Sequence, residues 1–139
     1  MIHRQEIEAW LGMWQRFIQE TAYEAAQPLF AEGVVAFGTV TGYMRGLAKL
    51  ENQQWRQVWC RIKDFTFETE SLIVFGEPSS DMVTIACLWH SLGQSPEGWY
   101  ERRGRVSLVL RKASNGLQCI YSHFSMEPGI PAVSGAVEM

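Results

Sequence analysis

The first half of the chain shows apolar residues at helical spacing. In residues 4–20 they recur every three or four positions, which predicts an amphipathic helix. Residues 21–24 match a capping box and predict a short second helix that ends near Ala31. After a β-like segment, residues 47–62 predict a third helix, in which Trp55 and Trp59 share one face.

Strand patterns fill the rest of the chain. Residues 34–41 are apolar and β-branched, and Gly38 within them indicates a bulge or the close approach of another group. Asn115-Gly116 is typical of a turn that pairs the last two strands. Four β-rich segments follow the third helix: residues 64–75, 82–92, 104–111 and 117–126.

The order of these elements predicts the fold class. Helices gather at the start and strands at the end, which is typical of an α+β protein. We therefore predict a cone-shaped roll with three N-terminal helices packed on a curved, mostly antiparallel sheet. No repeat or linker divides the chain, so a single domain is expected over residues 1–128, with a coil tail over residues 129–139.

Composition and charge narrow the classes of partner. Hydrophobic residues make up 47% of the 139 positions, and six Trp and seven Phe indicate a core or cavity with aromatic walls. A net charge of -3 argues against a nucleic acid or an anionic membrane as the partner. No apolar run is long enough to span a membrane, and no secretory signal is recognisable.

The cysteines indicate the cellular compartment. Cys60, Cys87 and Cys119 are odd in number and form no CxxC motif. Reduced, mostly buried thiols are therefore expected, which predicts a reducing, cytoplasmic location.

The last hairpin resembles a known family. Residues 104–111, a short turn, and the ending Tyr121-Ser-His-Phe-Ser125 with Pro128 are similar to the Arg-x-Thr strand, Asp-Gly turn and His-x-His-x-Ser ending of the SnoaL-like branch of the nuclear-transport-factor-2-like superfamily. This branch includes ketosteroid isomerase. The resemblance implies a cone whose mouth is a ligand pocket, and a homodimer. The fold hosts isomerases, dehydratases, cyclases and non-catalytic binders, so it implies no single activity.

The chain lacks the acids of ketosteroid isomerase. That enzyme uses an Asp base near the first strand and a protonated Asp with a Tyr in an apolar cavity. Here residues 34–41 contain no acid, and the only Asp residues are Asp64 and Asp81, at a strand start and in a turn. Isomerase chemistry of that kind is therefore not supported.

Three polar residues are the candidates for catalysis. His123, on a central strand, could exchange a proton near neutral pH, or it could be a buried His that bonds to its neighbours. The association domain of calcium/calmodulin-dependent kinase has a similar C-terminal motif. It carries a pocket-facing Arg at the position that matches Arg105, which implies an anion site. An internal salt bridge or an exposed edge charge is the alternative for Arg105. Arg105 or Tyr121 would stabilise an oxyanion.

Aromatic residues are the candidates for the pocket wall, although residues at such spacings also build cores. The predicted ligand-binding residues are Tyr23, Phe37, Trp55, Trp59, Trp89, His90 and Phe124. His90 and His123 could share the pocket, but no carboxylate or Cys stands at a proper spacing to complete a metal site. We therefore predict neither a metal nor a cofactor.

The predicted strand over residues 104–111 could turn either of its two faces towards the pocket. One face carries Arg105, Ser107 and Val109, and the other carries the Val106 row, which is Val106, Leu108 and Leu110. If Arg105 faces the pocket, the Val106 row lies on the outer face. An exposed aliphatic row would then predict a homodimer through the sheet face.

Two functional hypotheses follow from these residues. The first is a pocket protein that binds a small, partly apolar molecule, and that could catalyse isomerisation or water removal without a cofactor. The second is a non-catalytic dimerising or ligand-binding module whose cone is filled by its own side chains.

Overall fold

The amphipathic N-terminal segment forms the one long helix of the described chain. The computed structural model describes residues 1–77 and 79–129. Helix α1, Arg4–Gln19, buries one apolar face, and the Glu6 carboxylate accepts a hydrogen bond from the backbone N–H of His3 at its start. The prediction of this helix is confirmed. The buried face of α1 carries Ile7, Trp10, Leu11, Trp14 and Ile18.

The second and third helical regions are less regular. Helix α2 spans Tyr23–Ala26 and continues as a single 3-10 turn, Gln27–Leu29. The expected end near Ala31 is wrong, because Phe30 already pairs with Cys119 in the sheet.

The third helical segment, residues 47–61, changes its winding three times along its length. It consists of α3 (Leu47–Leu50), a π-turn (Glu51–Trp55), α4 (Arg56–Val58) and a 3-10 turn (Trp59–Arg61). The π-turn buries Gln54 and Trp55. Such turns add a residue to the helix and often occur at functional sites.

Six strands form one curved sheet that does not close. Its strand order is β2-β1-β6-β5-β4-β3, and only the β1–β6 pair of these six is parallel. The α+β class is therefore confirmed, although the short β2 was not predicted because three residues give no periodicity. The strands are β1 (Phe30–Phe37), β2 (Tyr43–Arg45), β3 (Ile62–Phe75), β4 (Met82–Ser95), β5 (Gly98–Ala113) and β6 (Gly116–Met126).

The β5–β6 hairpin has a tighter connection than the sequence required. Ala113 pairs with Gly116, so the loop has two residues, Ser114 and Asn115. Gly116 has a φ of 118°, a backbone conformation that residues other than glycine rarely adopt. Of the predicted tail, residues 130–139 lie outside the described residues.

The alternation of β5 separates an inner face, towards the helices, from an outer face. The Val106 row is at most 2% exposed, whereas Arg105 on the outer face is exposed. The expectation that Arg105 faces the pocket is therefore wrong. The aliphatic row belongs to the core because it removes more apolar surface from water than any other arrangement of this strand. Within the described residues no helix is long and apolar enough to cross a membrane.

Substituting Gly104 tests the packing of the sheet. A Cβ at this position would collide with the Trp89 ring and the carbonyl oxygen of Ser125. We expect Gly104→Ala to lower the free energy of unfolding by about 2 kcal/mol, because neither neighbour can move easily. Gly12→Ala is the matched control: Gly12 is exposed on α1 with open space around it, so alanine should raise stability by about 0.5–1 kcal/mol. Equal effects in urea unfolding would contradict this packing.

Candidate functional site

A cavity lies between the inner face of the sheet, α1 and the third helical segment. The cavity is open to solvent and small, about 40 Å³, or about 480 Å³ when the empty space is counted out to solvent. A volume of this size is enough for a few water molecules or one slender chemical group. The aromatic residues of its wall include Trp14, Trp55, Trp59, Phe65, Trp89 and Phe124.

The aromatic wall is held by ring-on-ring packing. Trp55 and Trp59 stack with centroids 4.8 Å apart, as their spacing in the sequence predicted. On the sheet side Phe65 stacks on Trp89, with centroids 5.5 Å apart. Gly104 allows the Trp89 ring to lie directly against β5, since any side chain there would occupy the position of the indole. The wall is thus rigid on both sides.

A buried amide connects the helical side of the cavity to the loop after β1. Gln54 is 8% exposed; its Nε2 donates to the Thr39 hydroxyl over 3.0 Å, and its Oε1 accepts from the Thr41 hydroxyl over 3.4 Å. A side chain at Gly38 would collide with this amide. The close approach predicted at Gly38 is therefore confirmed. Ser122, 2% exposed, adds a hydroxyl on the sheet side.

Arg102 is the charged group of the cavity wall. The residue is 7% exposed and lies on β5 opposite Ser91, whose hydroxyl accepts a hydrogen bond from Nη1 over 3.2 Å. Its guanidinium carbon lies 5.2 Å from the centre of the Trp89 ring. In residues 1–77 and 79–129, no carboxylate lies within ion-pair distance of Arg102. The cation is buried with weak partners only.

Burial acts on the charge of Arg102, and the backbone leaves room for its stem. Desolvation lowers the pKa of the guanidinium, while the neighbouring Tyr100 raises it. Arginine nevertheless stays protonated in proteins. A Cβ at Gly93 would lie 2.7 Å from Cδ of Arg102, so a glycine is needed opposite this stem.

Two further donors of the cavity wall have no partner. The indole N–H groups of Trp14 and Trp89 are buried without a hydrogen-bond acceptor in the described structure, as is that of Trp10 outside the wall. A buried donor without an acceptor costs about 1–3 kcal/mol. No buried side-chain acceptor of the described residues lacks a partner. The indole nitrogens have almost no accessible surface, so they offer no donor to a ligand.

Most of the predicted wall residues are brought together. Four of the seven line the cavity: Trp55, Trp59, Trp89 and Phe124. Phe37 borders it at the end of β1, but its ring packs beside Tyr121 and His123 on the outer face. Tyr23 lies behind the wall instead, stacked on Trp59 at 5.3 Å, and desolvation raises the pKa of its hydroxyl. His90 is turned to the outer face, where its Nδ1 lies 3.1 Å from the Glu68 carboxylate. The expectation that Tyr23 and His90 line the pocket is wrong.

The three predicted catalytic residues lie on the outer face of the sheet. Arg105 is exposed, and its Nε donates to the Ser125 hydroxyl over 3.1 Å. His123 is exposed and Tyr121 half-buried, and both are neighbours of the Phe37 ring. Their predicted position in the pocket is wrong, because strand alternation turns the odd-numbered residues here away from the helices.

The sequence contained a signal for Arg102 that the resemblance obscured. Arg102 lies four positions before Val106 on the same strand, so both side chains share a face. Placing the Val106 row in the core would have placed Arg102 at the end of the same row. Trp14, Gln54 and Ser122, also missed, carried no comparable signal. The described residues contain no cluster of three or more possible metal ligands.

The comparisons with known proteins identify the family. The chain matches the SnoaL-like domain family over residues 7–128, and it belongs to that family. The resemblance seen in the last hairpin is thereby confirmed. No curated protein matches the chain.

Solved structures show the same fold at low sequence identity. A nuclear-transport-factor-2-like protein from Salmonella enterica serovar Typhimurium is 16% identical, with a TM-score of 0.76 over 94% of this chain and 95% of its own. The β subunit of benzoate 1,2-dioxygenase from Burkholderia mallei is 13% identical, with a TM-score of 0.73 over 91% and 92%. A proposed dehydratase from Streptomyces avermitilis is 11% identical, with a TM-score of 0.75 over 90% and 96%.

Replacing Arg102 tests whether the site carries a cost in stability. The substitution removes the Ser91 hydrogen bond and the contact with Trp89, which lowers stability. It also removes the cost of desolvating an ion without a counter-charge, which is several kcal/mol and is the larger effect. We therefore expect Arg102→Met to raise the free energy of unfolding by about 1 kcal/mol in urea titrations. Arg103→Met, at an exposed neighbouring position, should change it by less than about 0.5 kcal/mol. Destabilisation by Arg102→Met alone would show that the buried cation is structural.

Proposed function

We propose that this protein binds a small, partly apolar molecule in the cavity between the sheet and the helices. The observation that carries the proposal is the aromatic-walled cavity with one buried cation. Ligand sites are concave and mostly apolar, with a few polar groups that orient the ligand. In a self-filled core, a buried arginine without a carboxylate would be costly and would remain uncompensated. The small volume of the cavity restricts the ligand to a small molecule.

The composition of the wall favours binding over acid–base catalysis. Proton transfer needs a side chain that titrates near the working pH within reach of the ligand. Among the described residues that line the cavity, Arg102 is the one titratable group, and it does not release its proton. His123 and Tyr121, the earlier candidates, lie on the opposite face of the sheet. We therefore place the first proposal in the class of binding proteins.

Filling the cavity tests this proposal. Val58 lines the cavity, whereas the adjacent Gln57 is exposed outside it. A thermal-shift screen of small ketones and carboxylates should raise the melting temperature of the wild type and of Gln57→Phe. Val58→Phe should abolish the shift, because its ring occupies the space of the ligand. A shift that survives in Val58→Phe would place binding elsewhere, and no shift for any probe in the wild type would refute the proposal.

We also propose that two copies associate through the outer face of the sheet. The helices cover the inner face only. The original reason, an exposed Val106 row, no longer holds, because that row is buried. The support now comes from a different set of outer-face side chains in register across β2, β1, β6 and β5: Tyr43, Phe37, Val35, Tyr121, Val109 and His123. An uncovered patch of this kind is typical of a protein interface.

A charge placed in the outer-face patch tests the dimer. His123 is exposed and lies 5.2 Å from Phe37, centre to centre, so His123→Glu adds a charge without disturbing the core. Sedimentation equilibrium at micromolar concentration should give a dimer for the wild type and a monomer for His123→Glu. Met13→Glu, on the exposed side of α1, is the control and should remain dimeric. A monomeric wild type would refute this interface.

The three cysteines support a reducing location, which we propose to be the cytoplasm. Cys60 is exposed, whereas Cys87 and Cys119 are buried, and all three are free. Burial raises the pKa of both buried thiols, so neither is a ready nucleophile at neutral pH.

A further inference from the structure

We infer that the ligand of the cavity is a monocarboxylate with a flat apolar body, and that Arg102 binds its carboxylate. This inference rests on the proposed function and adds the chemical class of the ligand. It follows from the polar groups of the wall, the charge balance and the shape of the cavity.

The polar groups of the wall require an acceptor. Arg102 carries five N–H donors, of which the described structure shows one bonded to oxygen, at Ser91. The amide of Gln54, in contrast, is already bonded at both ends. An ammonium or a hydroxyl donor would find few free acceptors here, whereas an ionised carboxylate brings acceptors only.

The charge balance requires one negative charge. Arg102 is the one charged side chain among the described residues of the wall, and no acid lines the cavity. A monoanion would neutralise the buried cation and remove the main cost of its burial. A guanidinium also binds a carboxylate through two parallel hydrogen bonds, which fixes the plane of the ligand. A doubly charged phosphate ester would leave one charge uncompensated in an apolar site.

The shape of the cavity limits the body of the ligand. The cavity of about 40 Å³ accommodates a small ligand, and it is open to solvent and lined by aromatic rings. The wall on both sides is aromatic: Trp55 stacks on Trp59 at 19°, and Phe65 stacks on Trp89 at 26°. Aromatic side chains pack favourably against another ring, which suits a ligand with a flat apolar body.

The experiment compares benzoate with benzamide, which has the same shape and no charge. Calorimetric titration of the wild type should show tighter binding of benzoate. Arg102→Met should weaken benzoate binding roughly tenfold or more, because a charge-assisted hydrogen bond is lost, and leave benzamide binding nearly unchanged. Arg105→Met is the matched control, since it removes the same group from the outer face of the same strand, and it should keep the preference for benzoate. Arg102→Gln provides a second variant if Arg102→Met does not fold.

The outcomes separate this inference from the proposed function. If benzamide binds as tightly as benzoate, or if the preference survives in Arg102→Met and Arg102→Gln, the carboxylate inference is refuted while the pocket stands. Loss of all binding in Val58→Phe would then still support the pocket. If neither probe binds the wild type, both the inference and the proposed function fail. Loss of the preference in Arg105→Met alone would move the anion site to the outer face.

Discussion

The burial of the Val106 row sets the geometry on which the rest of the site depends. Val106, Leu108 and Leu110 are the most apolar stretch of β5, and their contact with the helical layer removes them from water. Because side chains alternate strictly along a strand, this choice fixes the direction of every other residue in it. Arg102 is carried to the inner face as part of the same row, and Arg105 is carried to the outer face.

A buried arginine without a counter-charge is hard to explain as a source of stability. The hydrophobic row is stabilised by burial, whereas the guanidinium at its end loses hydration and has only uncharged partners in the described residues: the Ser91 hydroxyl, the Met126 sulfur and the Trp89 ring, with Tyr100 nearby. The glycines at positions 93 and 104 make the arrangement possible by leaving space for Arg102 and Trp89. Protein sites for ligands commonly retain such unfavourable groups, because the bound ligand compensates for them.

The sequence predicted the main helices and strands of this fold better than it predicted the residues of the candidate site. Strong periodicity located α1 and the long strands, and the final hairpin indicated the family. The short β2 and the irregular winding of residues 47–61 escaped because they depend on tertiary contacts rather than on local pattern. The site predictions depended on the face of Arg105, which the sequence left open although the family resemblance favoured the pocket. The free energy of burying three aliphatic side chains decides that face.

The residues of the last hairpin have different roles on the two faces of the sheet. Even-numbered positions of β5 build the core and end at the buried cation of the cavity. On the outer face, His123 and Tyr121 lie beside Phe37, where an aromatic patch suits association with a second copy. A histidine there cannot reach a ligand across the sheet. The residues that marked the family in the sequence therefore belong to the surface proposed for assembly, and the ligand site depends on a residue outside that motif.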